Sequence, residues 1–283
     1  MQTFLPYPSF DESARVLDQA RLGKQRVETL QVLRALVVPT YGWQRHPVTA
    51  MWRRHVPALT AYGLATVRAW TDRGYTDTVG DQLLEFAPQV AGVPQERLAD
   101  DGLLPSWIGD PAVHESHRSR LIAKAPEYYR PLFPGTLEDL DYVWPSGAAA
   151  LEPPLGNDLW VLRVDALEPW RTAGLLGLPA ADARGKVTPA WRHQLRAFED
   201  ELRPGVVVGV LATGQPDRLH LAAVTGDAAP ATVDGVGCTA VAARFEGGLD
   251  RRALPVPAAL QSPRRFFPVQ LAAPLGDPGD AER

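Results

Sequence analysis

Residues 21–28 read Arg-Leu-Gly-Lys-Gln-Arg-Val-Glu, and this stretch decides how the N-terminal part of the chain is interpreted. Because a helix advances about 100° per residue, its polar side chains share one face. These are Arg21, Lys24, Gln25, Glu28 and Gln31, while Val16, Val27, Leu30, Leu33 and Val37 share the opposite face. A carboxylate among cations, backed by an apolar stripe, suits phosphate binding beside acid/base chemistry. A solvated helix face with a Lys24–Glu28 pair explains the same pattern.

The composition is that of a soluble globular protein with room for two domains, since 45% of the 283 residues are hydrophobic and 22% are charged. No apolar run reaches the roughly 18 residues that cross a bilayer. The start, MQTFLPYPSF, does not read as a signal peptide, so we expect a cytoplasmic protein without a membrane partner. The single cysteine, Cys238, excludes an internal disulfide, and we interpret it as structural. A net charge of −4 means that nucleic-acid binding needs a local basic patch.

Two halves of different pattern predict an α+β protein. Residues 1–145 read as an all-α domain, in which a capping box opens a first helix that ends near Val37. A second helical stretch covers 48–72, where Pro57 either kinks the helix or starts its main segment. Asp110-Pro111 then begins a helix over 111–124.

The second half follows a linker at 146–157 that is rich in Gly, Ala and Pro. Residues 158–272 read as a small β-rich α+β domain. Its expected strands are 159–164, 206–211, 219–224 and 240–245, with a helix at 188–202. The tail at 273–283 is predicted to be disordered.

Residues 1–145 resemble the pyrimidine-dimer DNA glycosylase family in the order and spacing of four pieces. These are Leu17–Glu28, His46–Trp52, Arg73–Thr78, and His114–Arg120 together with Pro126–Tyr129. The resemblance implies a DNA glycosylase, with AP-lyase activity, acting at C1′ of a deoxynucleotide. In that family the chain's own α-amine attacks the sugar as the base leaves, a Schiff base forms, and β-elimination nicks the strand. Glu28 is then the candidate carboxylate that stabilises the cationic sugar and moves protons.

The sequence departs from the family pattern at the catalytic glutamate. The family has Arg directly followed by Glu, whereas Val27 stands between Arg26 and Glu28. An ungapped alignment therefore places Val27 at the catalytic position, and Glu28 needs a small change of helix register to serve.

A second departure concerns the nucleophile, which in the family is a small residue exposed by removal of Met1. Here residue 2 is Gln, which is large for this removal and whose freed amine can cyclise with its own side chain. The nucleophile can be the amine of Met1 or of Gln2, or Lys24, which lies one turn from Glu28. Water can also release the base without an amine nucleophile.

Further side chains are candidates for contacts with DNA. They are Arg21, Gln25, Arg26, Trp43, Arg45, His46, His117, Arg118 and Arg120. Arg21 and Arg26 would hold phosphates that flank the lesion. Arg26 falls near the apolar side of its helix, so a structural ion pair is the alternative for it.

A base that is acted on must leave the stack, and aromatic side chains hold it or fill the gap. The candidates are Trp43, Trp52, Trp107 and Tyr75, with ordinary core packing as the alternative for each. The spacing of His114 and His117 also allows a metal pair, but no third ligand is evident. We expect no metal and no cofactor.

Residues 158–272 are similar to the EVE/PUA-like superfamily. The similarity is carried by 159–163, 191–198, 202–208, 221–226 and 243–245. It implies a β-barrel-like fold that reads modified bases in DNA or RNA, with Trp160, Trp191 and Phe198 lining an aromatic pocket. The core of a small barrel is the alternative for these three residues.

The sequence therefore predicts a two-domain, monomeric protein that acts on double-stranded DNA. The substrate is either a pyrimidine dimer, as in repair, or a hypermodified phage base, as in defence. A non-catalytic protein that binds modified nucleic acid and an RNA-directed PUA-like protein are the alternatives.

Overall fold

The computed structural model describes residues 2–38, 41–145, 158–251, 254 and 257–270. The chain forms two compact units that divide after Glu152. Helices make up the first unit and a mixed sheet dominates the second, which confirms the α+β class. The predicted linker at 146–157 and the predicted tail at 273–283 lie outside the described residues.

The N-terminal unit packs its helices around buried aromatic side chains, among them Trp52, Tyr62 and Tyr129. Its helices are α1 (Phe10–Val16), α2 (Gln19–Val37), α3 (Pro47–Met51), α4 (Val56–Thr71), α5 (Gly80–Leu84), α6 (Gln95–Asp100), α7 (Pro111–Lys124) and α8 (Pro126–Tyr129). The predicted start of α7 is confirmed, because the Asp110 side chain accepts a hydrogen bond from the Ala112 N–H. Pro57 lies in the first turn of α4, so it starts that helix and does not kink it.

The prediction of one continuous helix up to Val37 is wrong, because α1 ends before Leu17 and α2 starts after Asp18. Leu17 and Asp18 have extended backbone, and the Asp18 carboxylate accepts the Arg21 N–H at 3.0 Å. The hydroxyl of Tyr129 donates to the same carboxylate at 2.6 Å. Asp18 therefore acts as an N-cap held by a distant helix, which satisfies a backbone N–H at the start of α2.

The faces of α2 also differ from the prediction. Val27, expected on the apolar stripe, is 43% exposed, whereas Gln25 and Arg26 are buried. The buried face runs through Leu22, Gln25, Arg26, Thr29 and Leu33. Two polar side chains replace part of the expected apolar contact because each has a specific polar partner, described below.

Over its described residues, the C-terminal unit is a curled half-barrel with two α-helices and a 3-10 helix at Pro257–Gln261. Its strands are β1 (Asp158–Val164), β2 (Leu175–Pro179), β3 (Val207–Ala212), β4 (Arg218–Val224), β5 (Ala229–Val233), β6 (Val236–Asp250) and β7 (Phe266–Gln270), and its helices are α9 (Glu168–Ala173) and α10 (Pro189–Glu201). The strand order is β2-β6-β4-β3-β1-β7, and β5 pairs with β6. The β1–β3 pair is parallel and the others are antiparallel.

The long strand β6 makes the sheet curl, because it pairs with β2 through its first half and with β4 through its second. A β-bulge opposite Leu221 and Ala222 bends this second pairing. No helix in the described ranges is long and apolar enough to cross a bilayer.

Candidate active site

The backbone nitrogen of Gln2 lies against the Glu28 carboxylate. The distance from this nitrogen to Glu28 Oε2 is 3.1 Å. Val27, the residue favoured by an ungapped alignment, instead points to solvent. The structure therefore places Glu28 beside the N-terminal segment, one position further along α2 than the family pattern.

Gln25 fixes the N-terminal segment to α2. Its amide nitrogen donates to the carbonyl of Gln2 at 2.7 Å, and its amide oxygen accepts the Phe4 N–H at 2.6 Å. The same oxygen accepts the hydroxyl of Tyr62 at 2.5 Å. The Gln25 side chain is fully buried, so it holds the chain and does not reach the surface where DNA would bind.

Two histidines of α7 hold the next residue of this segment. The Leu5 N–H donates to Nδ1 of His117 at 2.9 Å, and Nδ1 of His114 lies 2.8 Å from the Leu5 carbonyl. Since Nε2 of His114 accepts the Gly109 N–H, its Nδ1 carries the proton and donates it to that carbonyl. Burial lowers the pKa of His117 to about 3 and also lowers the pKa of His114, so both rings are neutral at pH 7.

These contacts remove His117 from the DNA-facing candidates, because its ring is fully buried. They also occupy both ring nitrogens of His114 and Nδ1 of His117, which a metal pair would need. Within the described ranges, no three His, Cys, Asp or Glu side chains are grouped to hold a metal ion.

A pocket of about 380 Å³ opens between the N-terminal segment and α2. It is lined by Gln2, Phe4, Ala20, Arg21, Lys24, Gln25, Glu28, Lys124 and Tyr142. The exposed amines of Lys24 and Lys124 give it a basic rim around one carboxylate. Such a rim attracts phosphate, and the carboxylate can stabilise a developing positive charge on a sugar.

A wider groove of about 840 Å³ continues along the outer face of α2. It shares Lys24 and Glu28 with the pocket, and Val27 and Trp70 form part of its wall. Gly23 lies on its floor, where an added Cβ would come 3.2 Å from the Trp70 ring. The groove gives the Glu28 pocket an approach along the helix.

The two arginines of α2 have different surroundings. Arg21 pairs with Asp18 at 3.1 Å and donates to the carbonyl of Lys124, yet it still lines the pocket. Arg26 is buried and forms an ion pair with Asp77, while its guanidinium lies 4.2 Å from the centre of the Trp70 ring.

Asp77 is a partner that the sequence analysis did not identify. Burial raises the pKa of its carboxyl, but hydrogen bonds from Gly80, Val79 and Arg26 outweigh burial and hold the pKa below its usual value. The structural ion pair considered for Arg26 is thus present.

The loop before α3 brings three predicted DNA contacts to the surface or close to it. Trp43 and Arg45 are exposed, and His46 is half-buried with its Nδ1 accepting the Val48 N–H. Burial lowers the pKa of His46. Of the aromatic alternatives, Trp52 and Trp107 are core residues, and Tyr75 packs on Trp70.

Two predicted contacts on α7 bind the protein itself. Arg118 donates to the carbonyl of Pro6 at 2.8 Å. Arg120 pairs with Asp141 and lies over the ring of Tyr142, a pocket residue that the sequence analysis missed. In the sequence, the aromatic residues near Tyr142 were the only signal that could have indicated its place in the pocket.

Residues 1–83 match the family model for pyrimidine dimer DNA glycosylase. The match confirms the resemblance over this segment, which contains both Gln2 and Glu28. It supports a DNA glycosylase, and therefore an enzyme that binds DNA. No curated protein and no solved structure matches the chain significantly.

Outside the glycosylase-like segment, two of the three residues expected to line a base-reading pocket, Trp191 and Phe198, belong to the core, and the partly buried Trp160 packs against it. Phe198 is fully buried, Trp191 is nearly so, and Trp160 stacks on Phe266 with ring centres 4.6 Å apart. The core alternative is thus the one observed. The C-terminal unit instead has an open pocket of about 530 Å³ lined by Arg171, Ala243, Arg244, Phe245 and Gly247.

Proposed function

We propose that the chain excises a damaged pyrimidine from duplex DNA by attack of its own amine at C1′ of the nucleotide, and then cleaves the strand as an AP lyase. The observation that carries this proposal is the 3.1 Å distance between the Gln2 nitrogen and the Glu28 carboxylate in an open, basic-rimmed pocket. A nucleophile and a proton-transferring carboxylate at hydrogen-bond distance are what this chemistry needs.

Each group in the pocket has a part in the proposed reaction. A neutral amine forms a bond to C1′ as the bond from C1′ to the base breaks, and the base leaves with its electron pair and takes up a proton. Glu28 stabilises the positive charge on the sugar and carries protons away from the nitrogen. The nitrogen lone pair then forms the second bond to C1′ as the C1′–O4′ bond breaks, and O4′ takes up the proton that Glu28 has accepted, so the sugar ring opens to a protonated Schiff base. This Schiff base makes the C2′ proton acidic, and loss of that proton expels the 3′ phosphate with the electron pair of the C3′–O bond by β-elimination.

The nitrogen of Gln2 becomes an α-amine only when Met1 has been removed. An α-amine has a pKa near 8, so a usable fraction is neutral at pH 7. Lys24 is the second candidate, since it lines the same pocket one turn from Glu28. Met1, the third candidate, lies outside the described residues.

The test is borohydride trapping on plain, ultraviolet-irradiated and hypermodified phage DNA. The proposal expects a covalent adduct on the irradiated duplex alone, and peptide mapping then assigns the amine to the N-terminus or Lys24. An adduct on the phage DNA alone would identify a hypermodified phage base as the substrate, as expected of a defence protein. Alkali-labile sites without an adduct would mean that water is the nucleophile.

Glu28→Gln and Glu96→Gln form a matched pair of carboxylate-to-amide substitutions. Glu28→Gln removes the charge but keeps the shape, and we expect base excision to fall by about 10²–10⁴-fold. Glu96→Gln makes the same change on the exposed surface of α6, outside the pocket and the groove, and leaves excision nearly unchanged. Equal activity of Glu28→Gln and the wild type would contradict the proposal. The absence of adducts and alkali-labile sites on all three duplexes would favour a non-catalytic nucleic-acid-binding protein.

We further propose that the C-terminal unit contacts nucleic acid through the pocket of Arg171, Arg244 and Phe245. Two guanidinium groups and an aromatic ring suit a phosphate and a base, and Arg171 lies 5.6 Å from the centre of the Phe245 ring. Arg171 pairs with Glu168 at 3.5 Å and Arg244 with Glu246 at 2.5 Å, so a phosphate bound there would compete with these carboxylates. An EVE/PUA-like role as a modified-base reader would use this opening instead of the buried Trp191 and Phe198. Competition between DNA and RNA ligands tests the RNA-directed alternative.

A further inference from the structure

Trp43 is presented to solvent in a conformation that a bulky residue rarely adopts. Its side chain is 55% exposed, and its backbone φ is +70°. The left-handed region costs a non-glycine residue of order 1–3 kcal/mol and persists only where the surroundings impose it. Both the exposure of a large apolar ring and the backbone strain oppose stability, so neither is explained by packing.

The backbone of this loop is nevertheless fixed. The carbonyl of Trp43 accepts the hydroxyl of Thr49 at 2.9 Å and the N–H of His46 at 3.0 Å. Thr49 is buried in α3. The backbone that carries the exposed indole is therefore held by hydrogen bonds to Thr49 of α3 and to His46.

From Trp43, aromatic rings lead without interruption to the candidate active site. The ring of Trp43 contacts His46 at 5.5 Å between centres, His46 contacts Trp144 at 6.0 Å, and Trp144 contacts Tyr142 at 5.2 Å. Tyr142 lines the pocket that holds Gln2 and Glu28. We call these four side chains the aromatic wall.

We propose that the aromatic wall stacks an unpaired DNA base next to the catalytic pocket, with Trp43 as its outermost ring. The inference rests on the proposed function, because a base acted on at C1′ must leave the duplex stack, and either it or its orphaned partner needs a new stacking surface. Aromatic rings accept any base through its π-face. Arg45, exposed two residues after Trp43, provides a cation for the adjoining phosphate.

The experiment uses a short duplex with a tetrahydrofuran abasic-site analogue, whose orphaned opposite base is free to leave the stack and which has no base to excise. Binding of Trp43→Gly, Trp43→Phe and the wild type is followed by fluorescence anisotropy, and their stability by urea unfolding. A glycine at φ +70° relieves strain, so Trp43→Gly is expected to unfold at the same or a higher urea concentration. We expect it to bind the duplex about tenfold or more weakly, and Trp43→Phe to retain most of the affinity.

Leu137→Ala is the control, because Leu137 is 62% exposed in the same unit and does not belong to the wall. Unchanged affinity of Trp43→Gly, or an equal loss in Leu137→Ala, would overturn the proposal. Tryptophan emission of the wild type should be quenched by the duplex, and the quenching should decrease in Trp43→Phe.

The same probe separates this inference from the proposed reaction. Glu28→Gln should bind the analogue at least as tightly as the wild type and with the same quenching, because it only removes a negative charge from a pocket that faces phosphates. If Glu28→Gln still excises bases, the proposed mechanism fails while the stacking result stands. If wild-type binding to the analogue causes no quenching, the aromatic wall fails whatever the excision assay shows.

Discussion

Gln25 is the residue on which the backbone contacts of the N-terminal segment converge. Replacing it by Leu leaves the Phe4 N–H and the Gln2 carbonyl without their partner inside the protein. A buried polar group left unpaired costs about 1–3 kcal/mol, so we expect Gln25→Leu to lower the free energy of unfolding by at least about 2 kcal/mol. Urea unfolding measures this loss, and base excision should fall with it because the Gln2 nitrogen loses its anchor.

Gln31→Leu is the control for that substitution, since Gln31 lies six residues further along α2, on its solvent side. Its effect should stay within about 0.5 kcal/mol. A loss in Gln31→Leu as large as in Gln25→Leu would mean that the substitution of any glutamine on this helix destabilises the protein, and that the contacts of Gln25 with Gln2 and Phe4 are not the cause.

His117 makes the stability of the N-terminal unit depend on pH. Its pKa is about 3 in the folded protein and near 6.5 in an unfolded chain, so between these values the unfolded state binds the extra proton. The contribution of His117 to the free energy of unfolding therefore has its full value above about pH 6.5. It falls as the pH drops, by up to about 1.4 kcal/mol per pH unit. His114, whose pKa burial also lowers, acts in the same direction.

His117→Gln tests this assignment, because glutamine can still accept the Leu5 N–H but does not titrate. The acid side of its stability curve, measured by urea unfolding at several pH values, should be shallower than that of the wild type. Parallel curves for the two proteins would show that His117 is not responsible for the slope.

Helix α2 owes its starting point to Asp18, which caps it and is held by Tyr129. Loss of an N-cap costs about 0.5–2 kcal/mol, and Asp18→Ala also removes the partner of the hydroxyl of Tyr129, a buried residue, so we expect a loss at the upper end of that range. Asp11→Ala removes an aspartate from α1 that forms an exposed ion pair with Arg68, and it should cost at most about 0.5 kcal/mol. Urea midpoints compare the two variants, and equal losses would contradict the capping role.

The sequence predicted that α2 carries a carboxylate among cations, but not which way the helix faces. The predicted helical period was correct, whereas the predicted orientation of the helix wrongly placed Val27, which is 43% exposed, in the core. The reason is that Gln25 and Arg26 are buried by polar partners from other elements: Phe4 and Tyr62 for the first, Asp77 for the second. Hydrophobic periodicity cannot register a buried polar side chain whose partner is distant in sequence.

At the scale of the whole molecule, the change of pattern near residue 150 predicted two units and their fold class. It could not locate the opening in the second unit. Trp160 and Phe198 appeared suitable for a base-reading pocket, yet both pack on Phe266 from β7, a strand that the sequence analysis did not identify. Whether an aromatic side chain of a small sheet lies in the core or lines a pocket can be decided only when all the strands of the sheet are known.

The net charge of −4 does not favour DNA binding by the protein as a whole, so affinity must come from local cations. The salt dependence of binding measures how many of these cations contact phosphates. Each phosphate contact contributes a slope of about −0.9 to a plot of log K against log salt concentration. Lys24→Ala should reduce the magnitude of the slope by about one, because it removes one phosphate contact. If the C-terminal unit holds phosphates, the double variant Arg171→Ala, Arg244→Ala should reduce it by about one to two. Arg97→Ala, which removes an exposed cation of the first unit outside the pocket, is the control and should leave the slope unchanged. If the slope is unchanged in the double variant but reduced in Lys24→Ala, phosphate contacts are made by the glycosylase-like unit, and the proposal that the pocket of the second unit binds phosphate is wrong.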